Sequence, residues 1–538
     1  MIKLRRMLSA LLVACMLLVF PSCGQQKNEA ADKIIKYYVD QEPQTLDPQV
    51  ATDSSAILAI GALYEGLTRL DQNGKAVPGV AESWSANDAA TVFTFRLREN
   101  AVWSDGQPVT AADFVFAFRR ALAPQTKSEA CRPLYVVKNA RKVSAGSLPT
   151  DQLGVRAEND TTLVVELEYA YADFPSLTAE GVFMPCNEAF FQQTQGKYGL
   201  EYKSILSNGP FVLGNKYSWD HGKQIKLTRS DTYRGAQAVL PAALIFFMSG
   251  SDVDVADPIK ALTTSAVDAI ALPEQQVAKA QELGLPITSF QDITWGLAFN
   301  TQDPLMQNEK IRQGLVRALP RQKLLEHLPE KAAQAEYIIG PQAMLMGRNY
   351  RQQAGTAAGY LKEGTQGGTL VQAGLKELGH PEFSHVTVLC PDTEQSKLMV
   401  NEMLVAWNRL TGQYFSMQPM AESELRKAVD SGEYQIALTG IYPEKDGKML
   451  SVFRSDSPQN PSRLASPEFD RLLLAAEQSG GAAALSSYLQ AENYLSAHAV
   501  FYPIYYKNSY YACGKGVTGI VFRPNSAGID FLLAGKTD

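Results

Sequence analysis

The residue types that do most enzyme chemistry are thinly scattered through this 538-residue chain. Its five histidines are His221, His327, His380, His385 and His498, and none pairs in the HExxH spacing that turns two imidazoles from one helix face toward a metal. His380 and His385 flank Pro-Glu-Phe-Ser, which reads as a loop with surface histidines. Asp252 and Asp254 have the chemistry for proton exchange, but nothing in the pattern builds a pocket around them, so they read as solvated loop charges. The run GKGVTG, Gly514 to Gly519, has dinucleotide-loop spacing, yet only nineteen residues follow, too few for the strand-helix-strand unit such a loop needs. It is expected to be a glycine-rich turn between C-terminal strands. There is no GxSxG elbow and no phosphate-binding loop. The expectation is a protein without catalytic residues, metal or cofactor, one that binds rather than transforms.

The N-terminus reads as a targeting sequence. Lys3, Arg5 and Arg6 precede an apolar run from Met7 to Phe20. Fourteen helical residues reach about 21 Å, short of the roughly 30 Å hydrocarbon core, which favours a cleaved signal over a permanent span. Ser22 before Cys23 resembles the lipobox of bacterial lipoproteins, in which cleavage leaves an acylated cysteine; LVAC ending at Cys15 is the alternative. Residues 1–22 would then be signal and 23–32 a tether, GQQKNEAAD spanning on the order of 17 Å as coil. The mature chain would keep 47 basic against 56 acidic residues, a balance that disfavours nucleic acid and anionic headgroups. Its cysteines, Cys131, Cys186, Cys390 and Cys513, show no CxxC pair; buried thiols and bridges both remain open.

The body of the chain, 45% hydrophobic and 20% charged, has the composition of a globular protein long enough for two or three domains. IIKYYVD (from Ile34) is strand-like, and a helix is expected from about Ser54 to Leu67. Phe93, Phe95 and Leu97 alternate with polar residues, as in a strand with one buried face. In AVWSDGQPVTAADFVFAFRRAL, Ala101 to Leu122, Thr110 stands three residues before Asp113 like a capping box, and Phe114, Ala117, Phe118 and Ala121 form one apolar stripe. That stripe is core. SNGPFVL (Ser207 to Leu213) reads as a turn entering a strand, WGLAFN (Trp295 to Asn300) as a buried strand, and Lys397–Leu410 and Pro467–Gln478 as amphipathic helices. Strands alternating with helices indicate α/β architecture.

Several of these stretches carry a family likeness. VAESWSANDAATVFTFRLRENAVWSDGQPVTAADFVFAFRRAL, Val80 to Leu122, resembles the signature region of bacterial extracellular solute-binding proteins of the oligopeptide and dipeptide type. QTLDP (Gln44 to Pro48), LYEGLTRLDQNG (Leu63 to Gly74), SNGPFVL, GLAFNTQDPL (Gly296 to Leu305), SPEFDRL (Ser466 to Leu472) and FYPIYYKN (Phe501 to Asn508) extend the resemblance over nearly the whole mature chain. The resemblance implies a two-lobed periplasmic-binding-protein-like α/β fold of the class II type with an additional inserted domain. Its expected division is 33–64, 185–294 and 509–538 for the first lobe, 65–184 for the insertion and 295–508 for the second lobe. It implies a monomer, exported and lipid-anchored to the cell membrane, that closes on short peptides and presents them to the permease of an ABC importer.

By the same resemblance, IALTGIYPEKDGK, Ile436 to Lys448, corresponds to the stretch that binds the peptide backbone and α-amine. Thr439, Gly440, Ile441 and Tyr442 would line the ligand, and Glu444 would meet the ammonium in a charge-assisted contact. Asp446 is its neighbour and rival, and a solvent-facing turn charge is the alternative reading of Glu444. Ile441 stands where relatives carry tryptophan, and Pro320 in LPR (Leu319 to Arg321) where they carry aspartate. On the opposite wall, Thr52, Asp53 and Ser54 align with a loop that meets the peptide. A glycan, a metal chelate or a signalling peptide as ligand, and an enzyme or chaperone on the same scaffold, are the competing readings.

Overall fold

A computed structural model describes residues 32–39, 41–356, 359–380, 383–412, 414–441, 449–524 and 528–537. The expected signal segment and the tether up to residue 31, with Cys15 and Cys23, and the site residues Tyr442, Glu444 and Asp446 lie outside them.

One mixed sheet runs through the molecule. Its strands longer than two residues are β1 (Ile34–Tyr38), β2 (Gln224–Arg229), β3 (Ala243–Phe247), β4 (Ala269–Ala271), β5 (Ile287–Phe299), β6 (Val386–Pro391), β7 (Phe415–Met420), β8 (Ile436–Ile441) and β9 (Phe501–Cys513). Across the sheet they stand in the order β7-β6-β8-β5-β9-β4-β1-β3-β2. β5 and β9 have 13 residues each and pair antiparallel from Ile287↔Ala512 to Ala298↔Phe501. At about 3.4 Å per residue they reach some 40 Å, enough to serve both halves of the sheet. Register shifts interrupt their ladder between Gln291 and Ile293 and between Trp295 and Gly296. Only the second half of β5 is continuously buried, which is why the sequence pattern announces WGLAFN and not the eight residues before it.

The helices follow from capping and apolar spacing: α1 (Ser54–Leu63), α2 (Ala111–Leu122), α3 (Glu309–Arg317), α4 (Gly367–Leu378), α5 (Glu394–Thr411), α6 (Glu422–Ser431), α7 (Pro467–Glu477) and α8 (Gly481–Ala497). α1 stops at Leu63, four residues before the expected end. Tyr64 is already extended, and Gly66 lies so close to the carbonyl of Thr178 that a Cβ would stand 2.3 Å from it. α2 fits its reading: the Asp113 carboxylate accepts from the Thr110 amide at 2.8 Å, and Phe114, Ala117, Phe118 and Ala121 are buried. Trp103 is fully buried, with Nε1 donating to Asp113. Arg120 donates to both carboxylate oxygens of Asp47, pinning QTLDP to the helix. The stretch from Ala101 to Leu122 is scaffold.

α2 packs beside a four-stranded sheet formed by Ala81–Ala86, Val92–Leu97, Thr162–Glu166 and Val155–Asn159. This sheet shares one hydrophobic core with β1, β2 and β3. A second core lies under β5, β6 and β8 against α3, α4 and α5, and a third against α7 and α8. Cys131, Cys186, Cys390 and Cys513 are buried free thiols. Gly516 and Gly519, with φ of +78° and +73°, turn the GKGVTG run into short C-terminal strands. Asp252 and Asp254 are exposed, as are His380 and His385. Among the described residues no helix is long and apolar enough to cross a membrane.

Candidate functional site

β8 is the starting point, because one of its edges is left open. It pairs with β5 along its full length, from Ile436↔Phe299 to Ile441↔Thr294. Toward β6 it pairs only through Ile436 and Ala437. Leu438 to Ile441 therefore have no strand partner on that side among the described residues. A cavity of about 170 Å³ lies there, lined by Thr439, Gly440, Ile441, Trp295 and the α6 residues Glu422 and Arg426.

Trp295 faces Gly440 across the strand pair and stacks on Tyr505 at 5.9 Å, with the Lys507 ammonium 5.2 Å from its ring centroid. Its buried Nε1 has no hydrogen-bond partner among the described residues. A buried N–H without an acceptor is costly, and this one is packed against Gly440.

A second, narrow cavity of about 50 Å³ shares Ile441 and Val452 with the first. It also shares Gln342 with a third cavity of about 540 Å³. The third is walled by Ile57, Leu58 and Gly61 of α1, by Met344, and by Arg523 and Asp530 near the C-terminus. The three form a series between the halves of the molecule. Gln342, at the junction, has a buried Oε1 with no partner among the described residues.

The loop carrying Gln342 is held from below by Glu492 of α8, which is fully buried. Its carboxylate accepts from the Ile339 amide at 2.9 Å, the Arg351 guanidinium at 2.7 Å and the Tyr350 hydroxyl at 3.1 Å. Glu65, Arg69, Arg523 and Asp530, which line the large cavity, form a chain of charges that Arg98 joins from outside the lining. Arg98 donates to Glu65 at 2.6 Å; Arg69 lies 3.9 Å from Glu65 and 3.0 Å from Asp530; Arg523 lies 3.7 Å from Asp530. Burial pushes the Glu65 carboxyl upward despite Arg69 and Arg98. Burial also acts on Asp530, but there Arg69, the Leu532 amide and Arg523 win and hold it below the usual range.

Lys507 of β9 holds two carboxylates from distant parts of the chain. Its ammonium is 3.4 Å from Glu422 on α6 and 3.8 Å from Glu274, which precedes β5. Burial raises the Glu274 carboxyl, with Lys507 opposing.

Of the residues singled out from the sequence, Thr439, Gly440 and Ile441 line the first cavity. Thr52, Asp53 and Ser54 line none of the three. Asp53 instead caps α1, its carboxylate accepting from the Ala56 amide at 2.7 Å, while Ile57 and Leu58 take the cavity wall. No described hydrogen bond or ion pair joins these three residues to β8. Sequence reasoning missed Trp295 as a lining residue, and Gln342, Arg523 and Lys507 altogether. Only the apolar run of the buried strand WGLAFN offered a signal, and it does not say which face meets a cleft. Among the described residues no group of three His, Cys, Asp or Glu side chains is placed to hold a metal ion.

Comparison with known proteins supplies the family. Residues 75–460 match the model of bacterial extracellular solute-binding proteins, family 5 Middle. A dipeptide-binding protein DppE of Bacillus subtilis is 24% identical over 513 residues, covering 92% of this chain and 90% of its own. An oligopeptide-binding protein OppA of the same organism is 27% identical, covering 84% and 83%. Among solved structures, the substrate-binding domain of an oligopeptide ABC transporter from Bacillus anthracis superposes with a TM-score of 0.71 at 26% identity, over 95% of this chain and 99% of that one. The fold is thus the expected two-lobed α/β arrangement, and the chain belongs to the bacterial extracellular solute-binding proteins of family 5.

Proposed function

We propose that the protein is the peptide-capturing subunit of an ABC importer. The open edge of β8 carries this reading: an extended peptide can add along Leu438–Ile441 as a further strand, its backbone satisfied by main-chain groups and its side chains entering the cavities on either side. The dipeptide and oligopeptide specificities named for its relatives support the same ligand class. In this reading Glu444, just beyond the strand, receives the α-amine, with Tyr442 beside it and Asp446 as the rival carboxylate. Thr52, Asp53 and Ser54 approach the ligand from the opposite wall as the lobes close. The lobes divide at 33–64, 185–294 and 509–538 against 295–508, with 65–184 inserted. Signal cleavage leaves an acylated Cys23, so the monomer works outside the cytoplasm, held at the membrane beside its permease.

Native mass spectrometry of the chain from Gly24 onward tests the ligand class. A heterogeneous set of short peptides, released on denaturation, is the expected result. A single non-peptide mass, or an empty cleft that no peptide stabilises, would sink it. Glu444→Gln should weaken peptide binding by about 1 to 3 kcal/mol if the carboxylate meets an ammonium; unchanged affinity removes that role. Cys23→Ala should release the protein from membranes, and retention would point to Cys15.

A further inference from the structure

The bodies built on the first and third hydrophobic cores touch at two places. Ala140, Val143 and Phe174 belong to the first core, and Leu345, Leu473 and Ala476 to the third. One contact is at the end of α7. A helix leaves its last four carbonyls without intrahelical donors. In α7 the Leu474 carbonyl accepts from the Gln478 amide, Ala475 from the Ser479 hydroxyl and Ala476 from the Ser479 amide. The last one, on Glu477, accepts across the junction, from Arg141 Nη2 at 3.2 Å and from the Tyr169 hydroxyl at 3.5 Å. A cation suits this end of the helix, where the partial charge is negative. The Arg141 guanidinium lies 4.5 Å from the ring centroid of Tyr135, so its own side of the junction holds it in position. Gly480 then passes so near that a Cβ would stand 2.8 Å from the Ala170 carbonyl oxygen and 2.8 Å from Cδ2 of Tyr169.

The other contact is the tip of a short hairpin, Met344–Leu345 paired with Arg348–Asn349. Its turn residues, Met346 and Gly347, have φ of +52° and +73°, as a two-residue hairpin turn demands. Met346 packs against both cores, and a Cβ on Gly347 would stand 2.5 Å from Oδ2 of Asp173, so the tip is seated on the first-core body. Met344, Gly347 and Asp173 line the large cavity. Arg141 and Tyr169 line none of the three cavities. We infer that the two contacts work as one latch, in which Arg141 and Tyr169 are positioning residues for ligand capture: they hold the α7 end in place, and with it the hairpin that walls the large cavity, without touching the ligand. Releasing them lowers the fraction of molecules with the cavity walls assembled, and apparent affinity falls with that fraction. Only this effect on affinity rests on the peptide reading; the coupling of the two contacts does not.

The test compares the wild type with the double variant Arg141→Ala, Tyr169→Phe and with Lys142→Ala, an exposed neighbour on the same short helix, Ala140–Ser144. Calorimetry uses a pool of tri- to pentapeptides built from Ala, Leu, Ser and Gly, and hydrogen exchange and solution scattering follow the ligand-free protein. The double variant should bind the pool roughly threefold to tenfold more weakly. Exchange should rise at both contacts, residues 477–481 and 345–348, and the radius of gyration should grow, whereas Lys142→Ala should match the wild type. A rise confined to 477–481 would mean local fraying of α7 and overturns the proposal, as does unchanged affinity or an equal effect of Lys142→Ala. If the wild type binds no peptide, the peptide reading fails and the ligand-free protein decides: faster exchange at 345–348 together with a larger radius upholds the latch, and the lack of either overturns it. If the double variant does not fold, Tyr169→Phe alone is read, and exchange at 345–348 identical to wild type counts against the latch.

Discussion

Trp295 and Gly440 face each other across β5 and β8 so closely that a Cβ built on Gly440 would stand 2.8 Å from Nε1 of the indole and 3.1 Å from Ile293. Glycine at this position is a requirement of packing, and it keeps the end of β8 flat where a ligand would approach. Gly440→Ala should push the indole out of place, destabilising the protein by about 1 to 3 kcal/mol and weakening peptide binding further than stability alone explains. Urea unfolding and calorimetry on the same preparation check both; a variant with wild-type affinity would show that the indole is not part of the ligand wall.

Lys507 separates two carboxylates from distant parts of the chain, Glu274 and Glu422. Lys507→Met leaves them to repel each other, so the lobes should open at pH 7.5, seen as a larger radius of gyration in solution scattering and an affinity loss of about twofold to tenfold. Glu274 is held above the ordinary carboxyl range, and losing the opposing lysine raises it further. As pH falls through that raised value Glu274 takes up a proton and the repulsion fades, so the defect should shrink at pH 5. A defect equally large at both pH values would argue against repulsion as its cause.

Glu492 joins the Ile339 amide, Arg351 and Tyr350 in a site with no access to water. Glu492→Ala strands a largely buried guanidinium and should cost about 3 to 5 kcal/mol, lowering the melting temperature and loosening the loop that carries Gln342. Hydrogen exchange at residues 338–342 should rise more than exchange in α2. Uniform acceleration would mean that Glu492 supports the fold generally rather than this loop.

Asp530 binds its proton less tightly in the folded protein than in the unfolded chain. Its stabilising contribution is therefore complete above the unfolded value, about pH 4, and disappears as pH falls through the lower folded value. Asp530→Asn removes this component, so stability should fall less steeply between pH 5 and pH 3 than in the wild type. Glu65, held above its usual range, acts with the opposite sign at higher pH and remains in both proteins. Parallel acid profiles for the two proteins in urea unfolding would refute the assignment.

The elements easiest to read from the sequence are those in which one local rule acts alone. Thr110 and Asp113 announce the start of α2, and the alternation of Phe93, Phe95 and Leu97 announces a half-buried strand. The early residues of β5 carry no such pattern because their burial is mixed where the strand passes between the halves. The cleft is harder still. Trp295 looks like any core aromatic, and its unsatisfied Nε1 exists only once β8 is laid beside it. Arg523 and Glu65 lie far apart in the chain and become one charge network only through Arg69 and Asp530. The family likeness pointed to Thr439, Gly440 and Ile441, which line a cavity beside β8, and to Thr52, Asp53 and Ser54, which line none of the three cavities, the nearest wall being Ile57 and Leu58 about one turn farther along the chain.

The paired strands β5 and β9 have a topological consequence. The chain runs on from β5 at Phe299, builds β6, β7 and β8 onto one side of the sheet, and comes back beside β5 at Phe501, since Ala298 and Phe501 are ladder partners. The half that contains β6, β7 and β8 is thus one very long hairpin loop whose two ends are fixed about 5 Å apart. Closing a loop costs little more as it lengthens, about 0.6 kcal/mol per doubling. This half can gain or lose surface segments with almost no penalty to the other, which makes it the part of the molecule most open to being remodelled for a new ligand.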